Sequence, residues 1–465
     1  MTLQNGAKIH FIGVAGSGMS GIAKIFAAKG YNVTGSDLKM SAIIEDLEKL
    51  QIKVVIGHRA ENIAGADLVI RSSAIGEDNC EIGAAKAQNI PVIQRAEALA
   101  ILLKEKRSIA VAGTHGKTTT TSMLAFALQE MKLDPSYVIG APLRNFGEGS
   151  RLGLGGEFII EADESDGSFI HYFPTGAIIT NLELDHVDNY ETIEELEQLF
   201  ENFIETVSDF IVISSDDPLL SKLKIPPSLT VIKVGFRESG QEKLDLTIKN
   251  VKLESNSSKA DLLWQGNFLA TLNLNIPGRH NIHNGALAVA AGIHLGFNGA
   301  SLAQALSHFQ GAARRFEIKS TFSGITVVDD YGHHPTELDV TLRAARNYLE
   351  KGELKPGRLI AIFQPHRFSR TASFYEEFAR ALSQADLVYL LDIYGAGEEV
   401  IDGVSSRMIA ENFLELERVK LLSKEEVLDE ILAIARSGDL IITMGAGDIN
   451  LMSEEISLGL LDKKN

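Results

Sequence analysis

A single cysteine, Cys80, stands among 465 residues. One thiol excludes an internal disulfide and a multi-cysteine zinc site, and a reducing compartment fits that scarcity. Cationic excess is also missing: 44 Lys and Arg face 62 Asp and Glu, a formal charge of −18. That balance disfavours nucleic acid and anionic membrane as non-specific partners, although local basic clusters can still hold an anionic substrate. No run of about 18 apolar residues exists to span a bilayer, and the first residues lack the basic, apolar and small-residue regions of a signal peptide. Internal repeats and low-complexity tracts are absent as well. The expectation is a cytoplasmic protein with no membrane insertion and no nucleic-acid partner.

What is present is ordinary globular composition, 45% hydrophobic and 23% charged, at a length that predicts two to four domains. Residues 8–12, 31–34 and 67–70 read as strands, with a helix over 20–29 between the first two. Such alternation predicts a parallel sheet with helices on both faces. The charged stretch Lys104-Glu105-Lys106-Arg107 separates this unit from a new strand at 108–112 and a long helix at 118–131. Strands at 157–161, 176–180 and 209–214 follow, then a polar alternation over 244–276 that predicts a small antiparallel insertion. A helix spans 284–295, and strands at 325–329, 358–363, 387–391 and 439–444 make a third α/β unit. The expected fold is α/β in three domains. Residues 1–106 form a Rossmann-like domain, 107–320 a central P-loop type parallel sheet with the insertion, and 321–465 a second Rossmann-like unit.

Between the strand at 108–112 and its helix lies Gly113-Thr114-His115-Gly116-Lys117-Thr118-Thr119. Backbone N–H groups in such a turn converge on an anion, and the helix N-terminus adds partial positive charge. Lys117 can reach the β and γ phosphates of a nucleoside triphosphate, and the Thr118 hydroxyl can ligate Mg²⁺. The turn is a variant, because Val111 stands where the usual pattern has its first glycine.

Glu161, Asp163, Glu164 and Asp166 crowd the end of the next apolar strand. Ligands of open α/β sheets bind at the carboxyl ends of strands, and crowded carboxylates call for a cation. Glu161 is the first choice as metal ligand. A later strand ends near Asp185-His186, where the imidazole of His186 suits a second divalent ion or an ordinary structural hydrogen bond.

A second glycine loop occupies residues 13–21, with Gly16, Gly18 and Gly21 in G-x-G-x-x-G spacing and Asp37 after the next strand. Alone, that loop reads as the site of a nicotinamide dinucleotide, though it suits any pyrophosphate, including that of a UDP-sugar. The third unit closes one strand with Asp329–Glu337 and another with Phe363–Thr371, where Arg367 and Arg370 are spaced to grip a carboxylate or a moving phosphoryl group. Two phosphate loops and a distal Arg/His set suggest joining: ATP phosphorylates a carboxylate and an amine attacks the acyl phosphate. A kinase would share the first of those steps.

Gly-Thr-His-Gly-Lys-Thr-Thr (113–119), Glu-Ala-Asp-Glu-Ser-Asp (161–166), Arg-His-Asn-x-x-Asn (279–284), Arg-Arg-Phe (314–316), Asp-Asp-Tyr-Gly-His-His-Pro-Thr-Glu (329–337) and Gly-Ala-Gly-Asp-Ile (445–449) together resemble the Mur ligase family. Within it, Gly-Ser-Gly-Met-Ser-Gly-Ile-Ala (16–23) and the third-unit His and Arg motifs are similar to the branch that adds L-alanine. The resemblance implies an ATP-dependent ligase joining L-alanine to UDP-N-acetylmuramate, the first amino-acid addition to the peptidoglycan precursor, with Mg²⁺ as cofactor. By matching position it places Gly113, Thr114, His115, Gly116, Lys117, Thr118, Thr119, Glu161 and His186 at phosphates and metals. It places His280, Asn281 and Asn284 near adenine, with Arg315 at the ribose or phosphates and Asp330 on the nucleotide side. Tyr331, His333, Arg367 and Arg370 would face the acyl phosphate and alanine. Gly16, Ser17, Gly18, Met19, Asp37, His58, Ser72 and Ser73 would serve the UDP-sugar.

No lysine lies between His186 and Lys222, so no carbamylated-lysine metal bridge of the kind used by several relatives is expected. Three rivals remain at this stage: a relative that attaches a whole tripeptide, a nucleotide-sugar dehydrogenase, and a nucleotide-binding regulator without turnover. The Pro-His-Arg-x-Ser-Arg run at 365–370 argues against the first. A monomer or homodimer is expected.

Overall fold

Continuous apolar runs flanked by glycine turns give strands buried on both faces, and these build three sheets. The structure, a computed structural model, describes residues 4, 6–185, 187, 189–237, 243–352 and 357–462. The first sheet contains β1 (Lys8–Ile12), β2 (Asn32–Asp37), β3 (Lys53–Ile56), β4 (Leu68–Arg71) and β5 (Val92–Gln94). All are parallel, in the order β3-β2-β1-β4-β5. The order reverses beside β1, and in open α/β sheets such a switch point opens a crevice for ligand.

The second sheet has ten strands. They are β6 (Arg107–Ala112), β7 (Ser136–Val138), β8 (Ser150–Arg151), β9 (Glu157–Glu161), β10 (Gly176–Ile179), β11 (Phe210–Ser214), β12 (Thr230–Phe236), β13 (Leu246–Leu253), β14 (Ser258–Trp264) and β15 (Asn267–Leu274). In the order β15-β14-β13-β12-β11-β10-β6-β9-β7-β8, strand β6 pairs parallel with both β9 and β10. The phosphate loop after β6 therefore lies between the carboxyl ends of two neighbours. The antiparallel segment expected over 244–276 is present as β13 to β15. It extends the main sheet rather than standing apart, because β13 pairs parallel with β12.

The third sheet contains β16 (Glu317–Phe322), β17 (Ile325–Asp330), β18 (Leu359–Phe363), β19 (Leu387–Leu390), β20 (Val419–Leu421) and β21 (Leu440–Met444). Its order is β16-β17-β21-β18-β19-β20, with only β16 antiparallel. Because β16 begins at Glu317, the expected division after residue 320 falls inside a strand, and the third sheet starts earlier than the sequence suggests.

Two helices also begin earlier than expected, at Ser17 and at Arg279. Glycine and asparagine are poor helix formers, which hid both starts. A single apolar cluster joins the first two domains, with Phe11, Met19 and Phe26 continuous with Ala110, Phe158 and Ile160. A Cβ on Gly21 would lie 3.2 Å from Ser150 Cβ, so this third glycine of the N-terminal loop permits close packing against the second domain. No helix among the described residues is long and apolar enough to cross a membrane.

Candidate active site

The phosphate loop is shaped by two glycines that no other residue replaces cheaply. Gly113 has φ +126, and a Cβ there would lie 2.2 Å from Thr180 Oγ1; Gly116 has φ +82 and would meet Asn284 Oδ1 at 2.8 Å. Asn181 ties down the turn by accepting from His115 N at 2.9 Å and donating to its carbonyl at 2.9 Å. Lys117 opens the helix Lys117–Glu130, and its ammonium folds back over the turn onto the carbonyls of Gly113 (2.7 Å) and Thr114 (3.1 Å).

That ammonium also donates to Glu164 Oε1 at 2.8 Å. Burial pushes the Glu164 carboxyl up to about 7, against the pull of Lys117. Burial would lower the Lys117 amine, but Glu164, Asp163 and Glu161 outweigh it, and the amine is held above its ordinary value. The lysine thus stays a cation while its partner sits near the point of protonation. Nothing in the spacing of the four acids singles out Glu164. Its neighbour Glu161 accepts from Thr118 Oγ1 at 2.7 Å and from Gly140 N at 2.8 Å. His186 lies outside the described residues.

A cavity of about 830 Å³ runs from this loop to the third domain. Of the residues expected at the nucleotide, His115, Gly116, Thr119, His280, Asn281, Asn284, Arg315 and Asp330 line it, whereas Gly113, Thr114, Lys117 and Thr118 do not. Within that set, Asn281 turns its amide to the Pro277 carbonyl at 2.6 Å, an internal cap. His280 is held neutral, its pKa lowered to about 4 by burial and by Arg315. Burial raises Asp330 to about 6 against Arg315, and its carboxylate accepts from Phe316 N (2.7 Å) and Gly332 N (2.8 Å). Sequence reasoning missed an aromatic wall in this cavity, where Arg279 lies 3.7 Å over the Phe236 ring and His283 stacks on the same ring at 5.7 Å. No motif flags Phe236, because β12 carries no chemistry-bearing pattern.

A second, polar cavity of about 420 Å³ draws on all three domains. Gly16, Gly18, Met19, Ser72, Ser73 and Arg95 come from the first, Asp163, Ser165, Asp166 and Asn189 from the second, and Arg367 from the third. Ser17 opens the helix Ser17–Ala28, and its side chain lies outside the described residues. Arg95, which no motif announces, rests against the glycine loop: a Cβ on Gly18 would lie 2.7 Å from Arg95 Nη1. Its carboxylate neighbour Asp166 is 3.6 Å away.

Asp37 and His58 are absent from the lining of that cavity. The two Asp37 oxygens accept from Ala15 N and Leu38 N at 2.8 Å each, which fixes the glycine loop itself. His58 Nδ1 lies 3.1 Å from Ser36 Oγ, beside the buried Glu81.

In the third domain the ring of Tyr331 receives the guanidinium groups of Arg314 and Arg315 at 5.0 and 5.2 Å. His333 Nδ1 donates to the Tyr331 carbonyl at 3.1 Å, and burial lowers its pKa to about 3 despite Glu337. Arg370, expected to face the reacting groups, clasps Asp185 of the second domain at 2.8 and 2.9 Å.

Models of the Mur ligase family match three stretches: the catalytic domain model at residues 8–107, the middle domain model at 157–292 and the glutamate ligase domain model at 314–447. UDP-N-acetylmuramate–L-alanine ligase of Pelotomaculum thermopropionicum is 43% identical over 95% of this chain and 95% of its own. The crystal structure of UDP-N-acetylmuramate-alanine ligase from Thermotoga maritima superposes with a TM-score of 0.81 at 29% identity, covering 98% of this chain and all of the other. A murein peptide ligase from Psychrobacter arcticus superposes with 0.71 at 26% identity, over 98% and 99%. On the order of its motifs, its three α/β domains and these matches, the chain belongs to the Mur ligase family.

Proposed function

We propose that this chain joins L-alanine to the lactyl carboxylate of UDP-N-acetylmuramate, consuming ATP and releasing ADP and phosphate. One observation carries the reading: the N-terminal glycine loop, the acids beside the phosphate loop and the third-domain Arg367 open onto one cavity. A carboxylate held there by its nucleotide shares that cavity with Arg367 and with Asp163 and Asp166, whose stretch also carries Glu161 and Glu164, the partners of Thr118 and Lys117. The identity of the relatives supports alanine as the amine.

The nucleotide occupies the larger cavity, with its base against Phe236, Arg279 and His280, and its phosphates on the Gly113–Thr119 turn. Thr118 and Glu161 are hard oxygen donors 2.7 Å apart at the mouth of that turn, a set that fits Mg²⁺. Bound there, Mg²⁺ would neutralise phosphate charge. Lys117 stabilises the phosphates as a fixed cation. Arg95, beside Gly18, holds the pyrophosphate of the UDP-sugar, and Ser72 and Ser73 complete that cradle.

The lactyl carboxylate attacks the γ-phosphorus of ATP, ADP departs, and the acyl phosphate forms. The alanine amine then attacks the carbonyl carbon, and phosphate leaves from the tetrahedral intermediate, carrying away the proton that the amine nitrogen loses. Arg367 faces the moving phosphoryl group. A ring held near 3 is too weak a base to keep an ammonium proton at neutral pH, so His333 acts as a neutral hydrogen-bonding group that positions Tyr331. Arg370 positions Asp185 and draws the third domain onto the second.

The sheets support domain limits of 1–106, 107–316 and 317–465. All three sites come from one chain, so one copy suffices, and ATP dependence places the reaction in the cytoplasm. Phosphate release tests the proposal: it should require ATP, UDP-N-acetylmuramate and L-alanine together. Release with a muramyl tripeptide but not with L-alanine would overturn it, as would UDP-sugar oxidation by NAD without ATP.

A further inference from the structure

His115 of the phosphate loop, Glu183 beyond β10 and His334, which caps the helix Pro335–Lys351, meet where the second and third domains touch. One ligand atom from each lies within 4.8 Å of the other two. Glu183 Oε2 is 2.9 Å from His115 Nε2 and 3.9 Å from His334 Nδ1. The two rings lie 4.8 Å apart, tilted by 37°. His334 is only 2% exposed. Its Nδ1 accepts one long hydrogen bond, 3.4 Å from Thr336 N, and its Nε2 has no hydrogen-bond partner among the described residues.

We propose that His115, Glu183 and His334 bind one divalent transition-metal ion of the zinc class, at a site separate from Thr118 and Glu161. Two imidazoles with one carboxylate suit a borderline ion, whereas Mg²⁺ prefers oxygen alone. Donors about 2.1 Å from a tetrahedral ion lie roughly 3.4 Å from one another. Two of the three separations, 2.9 and 3.9 Å, lie either side of that value and the third is within 4.8 Å, so the rings draw together and His334 Nδ1 gives up its long bond from Thr336 N as the site closes.

The groups behind the trio are arranged as metal sites require. Glu337 Oε1 lies 3.6 Å from the other ring nitrogen of His115, a carboxylate–histidine–metal relay. Thr336 Oγ1 donates to the remaining Glu183 oxygen at 2.7 Å and fixes that carboxylate. Burial lowers the pKa of His334, which keeps its ring neutral as a ligand must be. Ligation releases the proton that His115 shares with Glu183.

Two ligands belong to the second domain and the third to its neighbour, and His115 is two residues from Lys117. An ion in this place staples the third domain to the phosphate loop.

Calorimetric titration of the metal-free full chain with Zn²⁺, without nucleotide, tests the site. One ion per chain is expected. Affinity should fall at least about tenfold in Glu183→Gln and in His334→Asn, and hold in Glu161→Gln. Asparagine at 334 is itself a good helix cap, so that helix start is preserved. Equal affinity in the two ligand variants, or loss in Glu161→Gln alone, would place the ion elsewhere and overturn the proposal. Zinc-edge X-ray absorption of the wild type gives a measure independent of any variant: two imidazoles and a carboxylate are expected, and an oxygen-only shell refutes the site. Both readouts are of binding, so they stand or fall apart from whether the enzyme joins alanine.

Discussion

Arg370 donates from Nε and Nη2 to a single oxygen of Asp185, at 2.9 and 2.8 Å, with both side chains buried between the second and third domains. Removing one member of a buried pair leaves the other charge stranded, at a cost of about 3–5 kcal/mol. Asp185→Ala should therefore weaken domain closure and turnover together. Small-angle scattering with all substrates is expected to show a larger radius of gyration than the wild type. Combining Asp185→Leu with Arg370→Met should recover compactness but not activity.

The Lys117 ammonium sits on the turn proposed to receive phosphate, and no residue lines both cavities. Lys117→Ala should lower turnover by about 10²-fold or more, the scale of losing one charge-stabilising donor. UDP-N-acetylmuramate affinity should change by no more than about twofold, as for well-separated sites. Fluorescence titration with the UDP-sugar checks the second half. Loss of UDP-sugar binding with ATP hydrolysis intact would mean that the two loops have exchanged roles.

Arg95 offers a direct test of the pyrophosphate cradle. A charge-assisted hydrogen bond is worth about 1.5–3 kcal/mol, so Arg95→Met should raise the KM for the UDP-sugar by about 10- to 100-fold. The KM for ATP should stay put. Steady-state kinetics with each substrate varied in turn will show whether the effect is confined to one.

His115 carries a pH signature. Burial alone would lower its pKa, but Glu183 and Glu337 prevail and raise it from 6.5 to about 9. The folded state thus holds a proton that the unfolded chain releases above 6.5. Its contribution is fully present below that value and lost as pH rises through about 9. Each pKa unit is about 1.4 kcal/mol, which bounds the effect at about 3.5 kcal/mol. Thermal midpoints of the wild type should decline between pH 6.5 and 9, and His115→Gln should flatten that decline. Glu164 acts in the same direction at lower pH, because burial raises it from 4.5 to about 7.

Most of the candidate nucleotide site was legible in the sequence because it is written in short, contiguous runs. Gly113 to Thr119 requires positive φ at two glycines and a lysine at the helix start, and those needs leave a local pattern. Arg95 and Glu183 left none. Each acts through a neighbour that is remote in the chain, Gly18 for one and His115 for the other. Asp37, the last residue of β2, is expected at the ligand from its position; in the structure one of its oxygens accepts from Ala15 N of the glycine loop and the other from Leu38 N. The short strands β7 and β8 were missed for a related reason, since two or three residues carry too little periodicity to read.

The central claim is that the triphosphate docks on the lysine-bearing turn while the UDP-sugar reaches the same chemistry from the N-terminal domain. A crystal structure with a non-hydrolysable ATP analogue, Mg²⁺ and UDP-N-acetylmuramate tests it most directly. The analogue's terminal phosphates should rest on Gly113 to Thr119, and the UDP-sugar pyrophosphate should lie against Gly18 and Arg95. A nucleotide lodged away from that turn, or a UDP-sugar filling the larger cavity, would contradict the account.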